Sequence, residues 1–210
     1  MSFFNFGKYG RMLMLSAVLA VGVLVGITVA QSKGTLTDSR DGQKYKTVKI
    51  GGKTWMAQNL NYQTGNSWCY GGDNSNCNKY GRLYDWNTAK IACLKGWHLP
   101  SREEWGALAV AAGGTGSYGN GGTAGRALGS ASGWDDDGNG TDSYGFSALP
   151  GGCRDSDGFF YSAGYNGFWW TATERSGDGA YYRVMGCYDN NVGEGNDDKS
   201  YGFSARCVQD

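Results

Sequence analysis

The sequence predicts a single domain of the α+β class, in which helices come first and short antiparallel strands follow. Two segments, residues 80–93 and 101–112, repeat apolar side chains every three or four positions, as amphipathic helices do. Beyond residue 142 the pattern changes to short runs rich in aromatic and β-branched residues, and strands segregated from helices are typical of this class. A length of 210 residues suits one domain, and 37 glycines with only 2 prolines indicate long loops.

The first thirty residues differ in character from the rest of the chain. Lys8 and Arg11 precede an uncharged apolar run, residues 12–30, that ends in small residues. This is the pattern of an export signal, although the run is also long enough to span a bilayer. We therefore expect residues 1–30 to be a cleaved signal peptide or a retained membrane anchor, with the membrane contacted only through residues 12–30. Because the positive charges precede the run, both alternatives leave the remainder secreted or at the cell surface.

The charge balance of the exported part argues against a nucleic-acid ligand. The full chain has 19 basic and 19 acidic residues, and removing residues 1–30 removes Lys8 and Arg11 but no acid, which leaves 17 against 19. A protein that binds nucleic acid needs an excess of positive charge to pair with phosphates. We therefore expect no nucleic acid among its partners.

Cysteine usage indicates an oxidising compartment. All six cysteines follow the apolar run, and an even number in an exported chain predicts three disulfides with fifteen possible pairings. Metal ligation is disfavoured because no C-x-x-C pair occurs and the single histidine is His98. Cys69 and Cys77 are close enough in sequence to bond to each other, and closing so short a loop stabilises the fold by about 2 to 3 kcal/mol in the chain-entropy model. The cysteines are Cys69, Cys77, Cys93, Cys153, Cys187 and Cys207.

The exported part begins with a tether and a hairpin. Residues 31–44 are polar, which indicates a short tether. Residues 46–60 form a hairpin, because a Gly-Gly pair supplies the two-residue turn between runs rich in β-formers. In that register Val48 faces Trp55.

Two helices are predicted next. In residues 80–93 the apolar side chains recur on one face of a helix. In residues 101–112 Ser101 and Glu104 form an S-x-x-E capping box, an apolar stripe follows, and Gly113 ends the helix.

The last third of the chain predicts short strands. The segments that carry this pattern are "GFSALP", "GFFYSA", "FWWTAT", "AYYRVMGC" and "YGFSARCV". In the last of them Phe203, Ala205 and Cys207 alternate with the side chains of the opposite face, as in a strand.

Six phrases together resemble a known bacterial family. They are "TVKIGGKTWMAQNLNY", "YGRLYDWNTA", "GWHLPSREEW", "GTDSYGFSALPGG", "WWTATE" and "YGFSARCV", and they follow the order of the Fibrobacter succinogenes major paralogous domain over residues 45–210. That family is similar to the C-type lectin-like fold and to the sulfatase-modifying group within it. The resemblance implies a disulfide-stapled α+β domain in which two helices flank a twisted antiparallel sheet with long loops rich in glycine and aromatic residues. It also implies that the N- and C-terminal strands lie side by side.

The resemblance further implies a disulfide pairing, and it limits the chemistry that is expected. The closely spaced reactive cysteines of the sulfatase-modifying enzymes do not occur here, nor do the Glu-Pro-Asn and Trp-Asn-Asp triplets of calcium-dependent sugar-binding lectins. An oxidase and a calcium-bridged sugar site are therefore unsupported. The implied pairs are Cys93 with Cys207, Cys153 with Cys187, and Cys69 with Cys77.

The stretch "WDDDGNGTD" is a candidate calcium loop. Asp135, Asp137 and Asn139 occupy the first, third and fifth places of a D-x-[DN]-x-[DN]-G frame. The twelfth place is Phe146 and not a bidentate glutamate, so an ion needs a carboxylate from elsewhere. The alternative is a polar turn held by side-chain to backbone hydrogen bonds. The candidate ligands are Asp135, Asp137, Asn139, Thr141 and Asp142.

Aromatic side chains are the candidate ligand-binding groups. Tyrosine and tryptophan present flat, partly polar faces on which a sugar ring or a partner side chain can stack. If residues 168–173 form a strand, one ring of Trp169 and Trp170 points inward and the other outward. The candidate residues are Tyr165, Trp169, Trp170, Glu174, Tyr182 and Tyr188.

We therefore expect an exported, non-catalytic module that recognises a polysaccharide or a cell-surface protein through its loops, with no required cofactor and possible stiffening by calcium. The alternative is a structural component of the cell envelope or of an appendage, anchored by residues 12–30. Catalysis is not expected, because His98 has no accompanying nucleophile motif and the acidic loops give no pair of carboxylates at a set separation.

Overall fold

The computed structural model describes residues 32–210. The predicted signal peptide or anchor, residues 1–30, lies outside the described residues. None of the helices within residues 32–210 is long and apolar enough to cross a bilayer. The helices are α1 (Asn74–Tyr80), α2 (Trp86–Ala92), α3 (Arg102–Ala111) and α4 (Ala124–Leu128), with 3₁₀ turns at Tyr70–Gly72 and Ser117–Gly119. The strands are β1 (Lys33–Thr37), β2 (Lys44–Ile50), β3 (Lys53–Met56), β4 (Ser67–Trp68), β5 (Leu83–Tyr84), β6 (Gly114–Thr115), β7 (Gly121–Gly122), β8 (Gly151–Arg154), β9 (Phe160–Ala163), β10 (Asn166–Glu174), β11 (Gly179–Gly186), β12 (Gly193–Asp198), β13 (Phe203–Ser204) and β14 (Val208–Gln209).

A small antiparallel sheet joins the two ends of the described chain in the order β1-β2-β3-β14. The predicted hairpin is confirmed: Gly51 and Gly52 take positive φ values of 59° and 87°, and Val48 is opposite Trp55. Val208 pairs with the other side of Trp55, so the last strand lies beside the first hairpin.

The segment predicted as a polar tether, residues 31–44, contains an edge strand. Strand β1 pairs antiparallel with β2, and Leu36 lies opposite Tyr45 and packs against the core. The polar composition of this segment does not distinguish a tether from an edge strand, because an edge strand with one solvated face needs few apolar side chains.

The larger sheet is mixed. Its order is β12-β11-β10-β13-β5-β4, and the β8–β9 hairpin attaches to β10 through β8. Most of the neighbouring strands are antiparallel, as predicted, but β10 runs parallel to both β13 and β8. The predicted last strand is divided into β13 and β14, and residues 202–208 are all buried, so neither of its faces reaches solvent.

The helix predicted over residues 101–112 is confirmed, whereas the helix predicted over residues 80–93 is shorter than expected. Ser101 accepts a hydrogen bond from the Glu104 backbone N–H and Glu104 accepts one from Ser101, which confirms the capping box of α3. The helix predicted over residues 80–93 is shorter, because strand β5 interrupts it and the Asp85 side chain caps α2 by accepting from the Thr88 N–H at 2.7 Å. The resemblance implied two helices, and the described residues form four.

Two apolar clusters occupy the two faces of β10. Trp169 lies in the first cluster, where its ring centroid is 6.0 Å from that of Trp105. Trp170 lies in the second, 4.4 Å from the ring of Phe203. Because successive side chains of a strand point to opposite faces, one aromatic pair anchors both clusters.

A buried guanidinium links the N-terminal, middle and C-terminal segments. Arg206 is fully buried and donates from Nε and Nη2 to Asn59 Oδ1 at 3.1 and 2.7 Å, while its Nη1 donates to the Phe146 carbonyl. The same oxygen of Asn59 accepts from Trp169 Nε1 at 2.9 Å. Burial lowers the pKa of Arg206 to about 9, which leaves it protonated at neutral pH.

Two of the three predicted disulfides are present. Cys69 is bonded to Cys77 and Cys93 to Cys207. In the chain-entropy model the second link, which spans 114 residues, stabilises the fold by about 5 kcal/mol.

The predicted bond between Cys153 and Cys187 is wrong, because both are free cysteines. Cys153 lies on β8, and Cys187 directly follows β11. Strand β10 lies between β8 and β11, with Gly167 opposite both Gly152 and Met185. Two inter-strand spacings separate the cysteines by about 10 Å, beyond the roughly 7 Å that a disulfide spans.

We expect two cysteines to react when the unreduced protein is denatured in the presence of a maleimide. Burial raises the pKa of the Cys153 thiol to about 11 and also raises the pKa of Cys187, so labelling of the folded protein should be slow. Peptide mapping should find the label at these two positions. If the denatured protein carries no label, Cys153 and Cys187 are bonded to each other and the third predicted disulfide is present.

Substituting Asn59→Ala should lower the free energy of unfolding by about 3 kcal/mol or more, because Arg206 and Trp169 would keep buried donors without an acceptor. Asn78→Ala, at an exposed position of α1, is the matched control and should change stability by less than about 0.5 kcal/mol. Urea melts measure both. If both variants change the free energy of unfolding by the same small amount, Asn59 does not have the central role described above.

Candidate binding groove

Some of the residues predicted to bind a ligand are buried in the core. Trp169 and Trp170 are both fully buried, so the expectation that one of these rings faces outward is wrong. The pair does alternate between the faces of β10, but an apolar cluster covers each face. Neither ring can contact a ligand.

The other predicted residues lie in separate places. Tyr182 packs edge-on against Trp170 and is half-buried. Glu174 forms an ion pair with Lys199. Tyr165 and Tyr188 are exposed by 43% and 77%, and the Tyr188 hydroxyl donates to Asp136. These side chains therefore do not form one platform.

Three of the five predicted calcium ligands, Asn139, Thr141 and Asp142, form local side-chain hydrogen bonds. Asn139 Oδ1 accepts from the Trp134 N–H at 3.1 Å, and the Asp142 carboxylate accepts from the N–H and hydroxyl of Ser147, both at 2.7 Å. Thr141 is exposed, and its hydroxyl bonds to the Arg126 carbonyl and to Ser143. Hydrogen bonds of this kind are what the alternative interpretation, a polar turn, predicts, and the calcium site stays a prediction. Asp135, Asp137 and Asp142 are not among the acidic groups that converge within the described residues.

A different cluster brings possible metal ligands together. His98, Glu104 and Asp210 hold ligand atoms within 4.8 Å of one another. The Lys53 ammonium already lies among them, 3.1 Å from Glu104 and ion-paired with Asp210. Burial acts to raise the pKa of Glu104, but hydrogen bonds from Ser101, His98 and Lys53 outweigh it and hold that pKa below its usual range. The cluster is therefore a network, ion-paired through Lys53, that ties Asp210 to α3.

An open groove lies beside the first disulfide, and we call it the aromatic groove. One wall comes from the loop that the disulfide closes, and the other comes from the β8–β9 hairpin. The residues that define it are Trp68, Asn74, Arg82, Arg154 and Phe160, and Cys69 of the Cys69–Cys77 bond is also in its lining.

Arg154 stacks on Trp68 at the centre of this groove. Its guanidinium carbon is 4.2 Å from the ring centroid, which is a cation–π contact. Gly202 exchanges two backbone hydrogen bonds with Arg154, at 2.9 and 2.7 Å. A Cβ on Gly202 would lie only 3.1 Å from Arg154 Cβ and 3.2 Å from Trp68 Cε3, so glycine lets the two side chains approach.

Phe160 also lines the groove, and Tyr70 packs against it. Phe160 is directly opposite Arg154 in the β8–β9 register and therefore shares its face. Its ring meets Tyr70 edge-on, with centroids 5.4 Å apart. Tyr70 rests against Gly152, whose φ is +66° and where a Cβ would lie 2.7 Å from the Tyr70 ring. Backbone glycines thus set the positions of both aromatic partners.

Arg82 fixes the disulfide loop to the sheet. Its Nε donates to Ser67 Oγ at 3.0 Å and its Nη2 to the Ser67 carbonyl at 3.2 Å, while Nη1 lies 3.5 Å from Cys77 Sγ. Ser67 belongs to β4, which pairs with β5. The wall that carries Asn74 is therefore held by a covalent link and by hydrogen bonds.

A second groove, which we call the amide groove, continues from the first. The two share Asn74 and Arg82. Asn61 Oδ1 in its lining is buried without a hydrogen-bond partner among the described residues. The residues that define the amide groove are Asp41, Asn61, Tyr62, Gln63, Asn74, Asn78 and Arg82.

The two grooves combine the groups that hold polyhydroxylated ligands. Aromatic faces accept the apolar face of a ring, and side-chain amides and guanidinium groups hydrogen-bond to hydroxyls. Of the residues that line the two grooves, only Asp41 carries a carboxylate. Hydrolysis of a glycosidic bond by the usual route needs two carboxyl groups about 5 to 9.5 Å apart. The arrangement is therefore suited to binding.

Sequence reasoning did not identify this groove. The segment "NSWCYGGDNSNC" was predicted as a loop closed by its own cysteines, and two aromatic residues, Trp68 and Tyr70, flank the first of them. A tryptophan directly before a disulfide-closed loop and a tyrosine inside it were the available signal. The partners Arg154 and Phe160 lie more than eighty positions further along the chain, and nothing local connects them.

Comparison with known proteins identifies a family for most of the chain. A family model described as the Fibrobacter succinogenes major domain matches residues 48–209. No curated protein and no solved structure matches the chain. The C-type lectin-like fold implied by the resemblance therefore stays a prediction.

Calcium should leave the melting temperature unchanged, because the side chains of Asn139 and Asp142 already bond within the loop. Asp142→Ala should lower stability by about 2 kcal/mol with calcium or with chelator, since it removes the acceptor for Ser147 at a position with φ of 45°. Asp157→Ala, on an exposed turn, is the control. A melt of the unaltered protein that shifts with chelator would restore the calcium site.

Proposed function

This chain is a member of the Fibrobacter succinogenes major domain family, and we propose that it is an exported, non-catalytic module that binds a polysaccharide in the aromatic groove. The observation that carries the proposal is the stack of Arg154 on Trp68 beside Phe160. A row of planar side chains from separate segments offers flat surfaces to which successive sugar rings can pack.

The continuity of the two grooves supports a polymeric ligand. Asn74 and Arg82 line both, so a chain lying in the aromatic groove extends directly into the amide groove. There Asn61 and Gln63 supply amide donors and acceptors. A ligand of several sugar units uses both grooves, whereas a single sugar uses one.

The rigidity of the site supports recognition by a preformed surface. The Cys69–Cys77 bond and the hydrogen bonds of Arg82 to Ser67 order one wall before a ligand arrives. A preorganised wall lowers the entropy that binding would otherwise cost.

Export and fold belong to the same proposal. Two disulfides are typical of proteins in oxidising compartments, which supports a location in secretions or at the cell surface. A C-type lectin-like arrangement is supported by β14 lying beside the first hairpin and by the Cys93–Cys207 link. A surface protein is the competing ligand class, and the exposed Phe159 and Tyr161 beside the groove are where it would contact the module.

Trp68→Ala should weaken binding to a polysaccharide at least about tenfold, because it removes the central stacking face and the support of Arg154. Asn74→Ala, at an exposed groove position, should weaken binding without changing the melting temperature. Calorimetry against a panel of plant and bacterial cell-wall polymers gives the affinities.

Tyr188→Ala is the matched control, since that ring is exposed away from the groove residues and should not affect affinity. Loss of binding in Tyr188→Ala with normal binding in Trp68→Ala would show that the polysaccharide binds near Tyr188 and not in the aromatic groove. A panel without any bound polymer, together with capture of a surface protein through Phe159 and Tyr161, would replace the polysaccharide with a protein ligand.

A further inference from the structure

Two arginines of the aromatic groove lack an acidic partner. Arg82 and Arg154 have no carboxylate within 4.0 Å among the described residues, whereas Arg40 pairs with Asp38 and Arg102 pairs with Glu194. None of the residues that line the aromatic groove is acidic. The groove therefore holds two uncompensated positive charges in a chain whose formal net charge is +0.

The nearest acid on the same hairpin is used elsewhere. The Asp155 carboxylate accepts from the Phe159 N–H at 2.8 Å and so closes the β8–β9 turn. Only the backbone carbonyl of Asp155 meets Arg154, where it accepts from Nη1 at 3.2 Å. The charge of Arg154 is thus left for a group that the described residues do not supply.

The two guanidinium groups have different capacities. All three side-chain nitrogens of Arg82 donate hydrogen bonds, to Ser67 and to the disulfide sulfurs. Arg154 donates a hydrogen bond only from Nη1, so its Nε and Nη2 have no partner among the described residues. Neighbouring Nε–H and Nη2–H donors match the two oxygens of a carboxylate, and stacking on Trp68 fixes the plane of this pair.

From this geometry we propose that the ligand is an acidic polysaccharide whose uronic-acid carboxylates pair with Arg154. The inference rests on the proposed function and names the ligand class of the same groove. The carboxylate binds in bidentate fashion to Nε and Nη2 of Arg154, the sugar ring packs beside Phe160, and Arg82 adds a second positive charge. Two oxygens of a sulfate group can accept from the same pair of donors, so a sulfated polysaccharide is the competing ligand that the affinities must distinguish.

The decisive comparison uses polygalacturonate and the same polymer after methyl esterification. Esterification removes the charge and keeps the backbone, so the unaltered protein should bind the ester at least about tenfold more weakly. Binding to polygalacturonate should weaken as salt is added. This comparison needs no variant and does not depend on the folding of one.

Variants then locate the preference. Arg154→Gln should bind polygalacturonate and its ester alike, and Arg154→Lys should keep part of the preference because it keeps the charge without the planar fork. Arg175→Gln is the matched control, since it removes the charge of an exposed arginine outside the groove and should keep the full preference.

The outcomes separate the two proposals. Equal binding to polygalacturonate and its ester overturns the acidic ligand and leaves the polysaccharide module standing. A stronger preference for a sulfated polymer, or a full preference in Arg154→Gln, also overturns the inference. Failure to bind polygalacturonate, its ester and neutral xylan, mannan and cellulose overturns the proposed function itself.

Discussion

The guanidinium of Arg206 has no solvent around it, so its charge must be met entirely from within the fold. Asn59 meets it with a single side-chain oxygen, which also accepts from Trp169, and Asn59 Nδ2 donates to the Tyr80 carbonyl at 2.8 Å. The Phe146 carbonyl supplies a further acceptor. Segments far apart in the chain are therefore fixed in one arrangement, since moving any of them would leave a buried polar group without a partner.

The aromatic core and the long-range disulfide build on that arrangement. Strand β10 carries Trp169 into one cluster and Trp170 into the other. Cys207, which lies between β13 and β14, is linked to Cys93. The middle of the fold is consequently filled on both faces of the larger sheet. Recognition is left to the periphery, where loops and hairpins extend beyond the core.

The aromatic groove lies at this periphery and is nevertheless well ordered. Its disulfide loop is closed covalently, and its hairpin is bonded to the last part of the chain through Gly202. Arg154 of the hairpin stacks on Trp68 of β4, which directly precedes the loop. A surface whose two walls are each fixed to the frame can select a ligand by shape and charge at a small cost in entropy.

The sequence by itself determined the features that need only neighbouring residues: the two-glycine hairpin turn, the Ser101–Glu104 capping box and the Cys69–Cys77 loop. Tertiary structure alone decided that Trp170 is buried, because the alternation of a strand gives the face of a side chain and not what covers it. It also kept Cys153 from its expected partner by inserting a strand between them, and it brought Arg154 to Trp68. Such contacts depend on the order of strands in a sheet, and local pattern carries no information about that order.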